Sequence, residues 1–365
     1  MSANSKIEWT DHTFNPWEGC QKVGPGCDHC YAETRNARFG GGTAVNWGHG
    51  APRRRTSVKN WNLPLKWNAA ADTFMAEHGR RQRVFCSSLA DVFDNAVDPQ
   101  WRADLFALIA ATPNLDWLLL TKRIGNVPKM LGDYKTLPLL PNIWLGATIV
   151  NQEEADRDIP KLLAVPARVR FLSMEPLLGP VDLTYVDDGH AHRDVPREEW
   201  GSVDNDKSPP GLWWNVLTGK RTIMHGGADG EWSRTDAAVD WVIVGGESGP
   251  GARPMHPEWA RSLRDQCEAA DVPFLFKQWG EWTPGENVEK RVGTVDGAWW
   301  VDGRWMPSRE NLASDDDHRD DEPDLYRIGK KAAGRQLDGR TWDEFPDVLP
   351  SRADAFTTSD GSSAH

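Results

Sequence analysis

Short apolar runs alternate with helical patterns along this 365-residue chain, and this alternation limits the fold more than any other feature. The runs occupy residues 84–89, 117–121, 143–148, 169–174, 241–246 and 274–277. Because most are continuously apolar, they suit strands that are buried on both faces of a parallel sheet. Helical patterns lie at 99–111, 152–164 and 257–270, and a first strand is predicted at 13–17. The sequence therefore predicts about seven βα units in an α/β fold, a partial or near-complete parallel (β/α) barrel.

Polar insertions interrupt this alternation of strand and helix patterns and determine the predicted domain organisation. The barrel is expected over residues 1–280, with an insertion at about 185–240 that contains a hairpin between 211–217 and 221–224. A C-terminal extension at 281–350, with a hairpin around 298–306, is expected to pack on the barrel. The acidic run at 314–324 is predicted to be a solvated loop, and residues 351–365 a disordered tail. No run suits a membrane span and no secretion signal is seen, so a cytoplasmic protein is expected.

Polar residues follow the predicted strands, at the end where (β/α) barrels carry their chemistry. They are Asp91, Thr121, Lys122, Arg123, Thr148, Asn151, Glu175, Glu247, Ser248, Lys277 and Gln278. Glu175 precedes Pro176, which disfavours helical geometry and leaves the carboxylate at a strand end. Lys122 and Arg123 suit a carboxylate or phosphate, and Lys277 and Gln278 are further candidates for substrate contacts. We expect these residues to surround one site.

Three cysteines near the start of the chain, Cys20, Cys27 and Cys30, form a C-x6-C-x2-C pattern in a loop rich in glycine and proline. An odd, tight cluster in a cytosolic protein indicates a metal ligand set rather than a disulfide framework. Two centres fit. A [4Fe–4S] cluster would keep one iron open to a cofactor or substrate. Zinc is the alternative and needs a fourth ligand, for which His29 and Cys86 are candidates. The sequence lacks a second C-x2-C pair, which favours the cluster.

Several motifs resemble one known family. They lie at 7–17, 19–33, 120–123, 171–180, 244–250 and 276–280, within a resemblance that runs from about residue 6 to 346. Together they resemble the three-Cys-motif family of phage and bacterial proteins, a family of unknown function that is regarded as similar to radical S-adenosylmethionine (SAM) enzymes. The resemblance implies a partial barrel of the radical SAM type, with Cys20, Cys27 and Cys30 as cluster ligands.

The resemblance also implies a chemistry. The open iron would bind SAM, and an electron from the cluster would cleave SAM to methionine and a 5′-deoxyadenosyl radical. The candidates for SAM contacts are Glu175, Glu247, Ser248 and Thr148. The same chemistry implies an electron donor, and a second protein is a further candidate partner. Radical SAM enzymes usually have a C-x3-C-x2-C pattern, whereas six residues separate Cys20 from Cys27 here. Their Gly-Gly-Glu motif follows an early strand, whereas Gly245-Gly246-Glu247 follows a late one.

A local excess of positive charge suggests the substrate class. The chain has a formal net charge of −12, yet residues 35–83 contain ten Lys or Arg and two acidic residues, a local charge of +8. The chain also has 20 tryptophans, of which Trp47, Trp61 and Trp67 lie in this stretch. Arginines interleaved with aromatic rings suit RNA or DNA, so Arg53, Arg54, Arg55 and Trp61 are candidate contacts. The expected function is modification or repair of a nucleic acid or nucleotide-like substrate. The alternative is a non-enzymatic, zinc-stabilised nucleic-acid-binding protein.

Overall fold

The computed structural model describes residues 5, 7–131, 140–187, 211–225, 228–230, 236–288, 293–311 and 324–347. The predicted tail at 351–365 lies outside the described residues, as do nearly all of the acidic run at 314–324 and a large part of the insertion. Within the described residues, no helix combines the length and the apolar character that a membrane span requires.

Within the described residues, seven parallel strands form one sheet that curls into a half-barrel. We number these strands in chain order: β1 (His12–Phe14), β2 (Gln82–Cys86), β3 (Leu115–Thr121), β4 (Ile143–Thr148), β5 (Val169–Met174), β6 (Trp241–Gly245) and β7 (Phe274–Gln278). Their order in the sheet is also their order in the chain, with β1 and β7 at the two edges. The predicted α/β fold with a parallel sheet of about seven strands is confirmed, and the barrel is partial rather than near-complete. Within the described residues, no helix lies between β5 and β6.

The strand bounds agree with the apolar runs to within two residues except at β2, and the first strand, predicted at 13–17, ends earlier, at Phe14. Strand β2 ends at Cys86 because the chain then turns toward the segment after β1. The Leu89 N–H donates to Asn15 Oδ1 at 2.8 Å, and the Leu89 carbonyl accepts from the Gly19 N–H at 3.1 Å. Ser87 and Ser88 therefore leave the sheet, although the whole run at 84–89 is predicted to be a strand.

Helices lie between the strands and around the segment that follows β1. They are α1 (Tyr31–Phe39), α2 (Val58–Trp61), α3 (Leu63–Ala69), α4 (Ala71–His78), α5 (Pro99–Ala110), α6 (Val127–Leu131), α7 (Gln152–Leu163), α8 (Pro257–Ala269) and α9 (Lys330–Ala333). The predicted helices at 99–111, 152–164 and 257–270 correspond to α5, α7 and α8. The helices α2 to α4 are not predicted, because this stretch is recognised in the sequence by its charge alone.

Short antiparallel elements complete the fold. In the insertion, Gly211–Asn215 and Lys220–His225 pair as predicted, flanked by Val186–Asp187 and Ala228–Gly230. In the C-terminal extension, the predicted hairpin pairs Thr294–Val301 with Arg304–Asn311, and Leu325–Arg327 and Trp282–Thr283 extend this sheet. Trp300 of the hairpin packs edge-on against Trp259 of α8, with ring centres 5.1 Å apart, which attaches the extension to the half-barrel.

Successive residues of each strand face opposite sides of the sheet, as the strand period requires. The outward residues pack with the helices in one apolar cluster, and the inward residues form a second cluster. The inward cluster is aromatic at its centre: Trp144 and Trp9 both meet Trp241 edge-on, with ring centres 6.1 and 6.2 Å away. Phe171 fills the space left by Gly146, where a Cβ would lie 2.3 Å from the ring. The interior is therefore solid at this level.

We expect Gly146→Ala to lower the free energy of unfolding by about 1–3 kcal/mol, because an overfilled core must shift to accommodate the added methyl group. Urea unfolding monitored by tryptophan fluorescence measures the change. Gly179→Ala is the matched control, since its Cβ would lie 3.6 Å from Asn151 Cβ, which is an ordinary contact. Equal stability of Gly146→Ala and the parent would contradict the solid interior.

Candidate functional site

The carboxyl ends of the strands enclose a cavity of about 640 Å³, which we call the mouth cavity. Inward positions become polar toward this end, from Trp144 to Thr148 along β4 and from Phe171 to Glu175 along and just after β5. Trp9, Phe85 and Leu120 form an apolar part of the lining. A cavity of this size with an apolar lining and a few converging polar groups is typical of a small-molecule site.

Most of the predicted site residues meet in the mouth cavity. Its lining includes Cys20, Cys27, Cys30, Asp91, Thr121, Lys122, Arg123, Thr148, Glu175, Glu247, Ser248, Lys277 and Gln278. Asn151 instead caps α7, where its side chain accepts a hydrogen bond from the Glu154 N–H at 2.9 Å. Ser87 and Ser88 also line the cavity and are missed by the sequence analysis. Their polarity within an otherwise apolar run is the signal that could have identified them.

Glu175 is held by two side chains from the end of β7. Lys277 Nζ donates to both carboxylate oxygens, at 2.8 Å to Oε1 and 2.6 Å to Oε2. Gln278 Nε2 donates to Glu175 Oε1 and to Ser248 Oγ, each at 3.0 Å. The side chains of Glu175 and Lys277 are 20% and 15% exposed, so the pair is accessible yet partly shielded from water. An anion beside a cation suits a ligand that carries both an amino and a carboxylate group.

Lys122 provides a second cation in the same cavity. Its Nζ donates to Thr148 Oγ1 at 3.1 Å, which links the ends of the neighbouring strands β3 and β4. The Lys122 backbone N–H donates to Asp91 Oδ2 at 3.0 Å, which fixes the turn after β3. The ammonium group is thus positioned by a neutral hydroxyl, which leaves its positive charge for an anionic ligand.

The cysteine loop, residues 19–30, follows β1 and carries all three thiols to the mouth cavity. Cys27 ends a short 3-10 helix, Pro25–Cys27, and is 8% exposed. Cys30 is the N-cap residue of α1 and, like Cys20, is partly exposed. The three sulfurs are therefore presented by irregular backbone, whose position depends on contacts with the barrel.

Two glycines allow the cysteine loop to pack closely on the segment after β4. A Cβ at Gly24 would lie 2.8 Å from Glu154 Oε1, and a Cβ at Gly26 would lie 2.7 Å from Val150 Cγ1. Glu154 is itself fixed, because its Oε2 accepts from the Val150 N–H at 3.2 Å. Burial raises the pKa of Glu154. Larger side chains at the two glycines would push the loop away from the sheet.

Arg123 fixes the start of the cysteine loop. Its guanidinium donates to the Gln21 carbonyl at 2.8 Å and contacts Cys20 Sγ at 3.4 Å. Asp91 accepts from the same guanidinium at 3.0 Å and from the Thr121 hydroxyl at 2.8 Å, which holds the cation in place. Burial raises the pKa of the Cys20 thiol to about 11, although Arg123 opposes this shift. The thiol stays protonated at neutral pH unless more positive charge approaches, and a metal ion supplies such charge.

Arg253, which the sequence analysis does not single out, fixes the middle of the cysteine loop. It donates to Glu247 at 2.9 Å from Nε to Oε2 and at 2.7 Å from Nη2 to Oε1. It also reaches the Pro25 carbonyl at 2.8 Å and the Asp28 carboxylate at 3.1 Å. The hydrogen bonding of Arg253 to the Glu247 carboxylate is the main reason that the pKa of Arg253 is raised. Glu247 is only 6% exposed, so in this structure its carboxylate positions the loop through Arg253.

The chemistry of the donor set suits a metal centre, whereas the described conformation does not bring the donors together. Three thiols from one loop face one cavity, and the guanidinium of Arg123 lies beside the first of them. Among the described residues, however, no group of three or more His, Cys, Asp or Glu side chains is arranged to hold a metal ion. Ligation of a single metal ion by all three cysteines therefore requires the thiols to move closer together.

The predicted nucleic-acid contacts lie outside the mouth cavity. Arg53 is buried against Asp94, with 2.7 Å between Nε and Oδ2 and both side chains 1% exposed. Arg55 pairs with Asp104 at 2.7 Å and lies over the Trp61 ring, 4.3 Å from its centre. Arg54 pairs with Glu18, and its side chain is 65% exposed. The guanidinium groups of Arg53 and Arg55 are thus engaged within the protein.

We expect Arg253→Ala to increase amide hydrogen exchange across residues 19–30 by about 5- to 150-fold. The reason is that losing charge-assisted hydrogen bonds of about 1–3 kcal/mol makes local opening easier. Exchange measured by mass spectrometry checks this. Arg261→Ala is the control, because Arg261 on α8 pairs with Glu258, Glu286 and Asp338, none of which lies in the loop. Unchanged exchange in the loop of Arg253→Ala would rule out the positioning role.

Comparison with known proteins identifies the family of this chain. No curated protein and no solved structure matches it, so neither comparison supports the expected similarity to radical SAM enzymes. A family model described as "Protein of unknown function (DUF5131)" matches residues 4–346. The match agrees with the expectation of a family of unknown function. Because it spans nearly the whole chain, the protein belongs to the DUF5131 family.

Proposed function

We propose that this protein is an iron–sulfur enzyme of the radical SAM type, with a [4Fe–4S] cluster bound by Cys20, Cys27 and Cys30. One observation carries the proposal: all three cysteines line the cavity that also contains the polar strand ends. Three thiolates leave one iron of such a cluster without a protein ligand. The sequence motifs are the reason for choosing SAM as the molecule that binds at this position.

The side chains around the cavity support this choice by their charges. The Glu175–Lys277 pair offers a carboxylate and an ammonium group, which complement the amino and carboxylate groups of an amino acid such as the methionyl part of SAM. Arg123 offsets negative charge on Cys20. Trp9 and Phe85 on the apolar side of the cavity exclude water. When bound, the cluster and SAM supply the electron and the radical that this reaction class requires.

Zinc is the alternative content of the cysteine loop. His29 lines the mouth cavity together with the three cysteines, and a Cys3His set would satisfy a closed tetrahedral zinc site. Cys86, the other candidate ligand, is fully buried on β2, and its Sγ lies 3.4 Å from Ser87 Oγ. Burial raises the pKa of Cys86 to about 12. The zinc alternative corresponds to a non-enzymatic nucleic-acid-binding protein.

We expect anaerobic reconstitution with iron and sulfide to give a brown charge-transfer absorption. Cys20→Ala, Cys27→Ala and Cys30→Ala should each abolish it, because each removes one thiolate ligand. Cys86→Ala and Cys267→Ala are the controls and should retain it, since both thiols are buried at 0% exposure. Iron and sulfide analysis of each variant checks the result. If the protein instead contains stoichiometric zinc and no iron, the iron–sulfur proposal is wrong and the zinc alternative replaces it.

We expect the reconstituted protein, reduced with dithionite in place of the natural electron donor, to cleave SAM. Glu175→Gln and Lys277→Met should weaken SAM binding by roughly 10- to 150-fold, the effect of losing one charged hydrogen bond, and should leave the cluster intact. Isothermal titration measures binding, and mass spectrometry measures 5′-deoxyadenosine. Lys161→Met is the control, because Lys161 pairs with Asp158 on α7.

Glu247→Gln separates two roles for that carboxylate. If Glu247 positions the cysteine loop through Arg253, the variant loses cluster content together with SAM binding. If Glu247 binds SAM directly, the variant keeps its iron and loses SAM binding alone. A cluster-replete protein that neither binds nor cleaves SAM would refute the radical SAM assignment.

A further inference from the structure

A second cavity, of about 330 Å³, shares a wall with the mouth cavity, and we call it the flanking groove. Four residues line both cavities: Ala32, Arg35, Trp47 and Leu89. Ala32 and Arg35 belong to α1, the helix that begins directly after Cys30. A ligand in the flanking groove would therefore lie next to any molecule held at the cysteines.

Phe39 gives the flanking groove an exposed aromatic face. Its side chain lies at the end of α1 and is 75% exposed, so packing does not account for a phenyl ring at this position. Arg35 lies one helical turn earlier, with its guanidinium carbon 5.2 Å from the ring centre. Trp47 adds a second ring to the same lining. Aromatic rings beside an arginine form the type of platform on which nucleobases stack.

Arg35 also provides unneutralised charge where the two cavities meet. Among the ion pairs of the described residues, none includes Arg35, whereas Arg53, Arg55 and Arg80 all pair with aspartates. Glu18 lines the flanking groove as well, but it pairs with Arg54 in the same lining. The flanking groove is therefore positive within a chain whose net charge is −12. Such a local positive site favours an anionic ligand that the rest of the surface repels.

We propose that the flanking groove binds one nucleotide of a single-stranded nucleic acid whose neighbouring nucleotide enters the mouth cavity. Phe39 and Trp47 stack on the base, and Arg35 binds the phosphate between the two nucleotides. The base must be unstacked to enter, which selects single strands over duplexes. The idea that the neighbouring nucleotide reacts in the mouth cavity rests on the proposed function. Binding of a nucleotide in the flanking groove does not depend on the proposed function. RNA and DNA share the required chemistry.

Fluorescence anisotropy with labelled oligo(U) and oligo(dT) tests this inference on the full chain without added metal. We expect Phe39→Ala to weaken binding by about 5- to 150-fold and Phe39→Trp to retain it, because stacking on an aromatic ring supplies the affinity. Arg35→Gln should flatten the dependence of log affinity on log salt by about 0.7 for one lost phosphate contact. Val58→Ala is the control, because Val58 is 76% exposed and lines neither cavity.

The inference is overturned if neither oligonucleotide binds, if a duplex binds as tightly as the single strands, or if Phe39→Ala binds like the parent. Binding of either oligonucleotide with the expected loss in Phe39→Ala supports it. SAM cleavage without oligonucleotide binding removes this inference alone. Oligonucleotide binding without iron or SAM cleavage removes the proposed enzyme and leaves the flanking groove as a binding site.

Discussion

The filling of the half-barrel interior is the constraint on which the rest of the structure depends. Trp9, Trp144 and Trp241 occupy the inward cluster, and Phe171 lies directly on Gly146. Every second residue of a strand faces inward, and these inward side chains change from aromatic to polar along the strands. The aromatic side chains fill the interior, so the free space lies at the polar end of the half-barrel. The mouth cavity therefore lies at the carboxyl ends, where the chain leaves each strand and can vary without loss of the core.

The cysteine loop shows how an irregular segment acquires a defined position. Its backbone pairing is limited to isolated bridges of Gly19 with Ala90 and of Cys20 with Trp47, and side chains from the turns after other strands supply further contacts. Arg123 follows β3 and bonds to the start of the loop, while Arg253 follows β6 and bonds to its middle. The acids that orient them, Asp91 and Glu247, also lie beyond strand ends. The placement of the thiols thus depends on electrostatic contacts, which respond to charge in the cavity more than apolar packing does.

Local sequence was sufficient for the strands, the main helices and the set of polar strand ends. Continuous apolar runs and helical spacing depend on neighbouring residues, so β4 and β5 match their predicted runs to the residue. Contacts between distant residues were not accessible in this way. Arg253 meets Asp28 across 225 positions of the chain, and no short motif connects them. Likewise, a run of arginines does not disclose that Arg53 is buried against Asp94, because exposure is a property of the folded chain.

The open edge of the half-barrel has a further consequence. Within the described residues, β1 and β7 are the edges of the sheet, so no ladder of backbone hydrogen bonds closes the ring. The cysteine loop, which extends from β1, is tied by Arg123 and Arg253 to the turns after β3 and β6, and it braces the mouth in place of the missing strand pairing. Splaying of the sheet would therefore break the contacts that Arg123 and Arg253 make with this brace. By linkage, any ligand that tightens the brace also raises the melting temperature of the sheet.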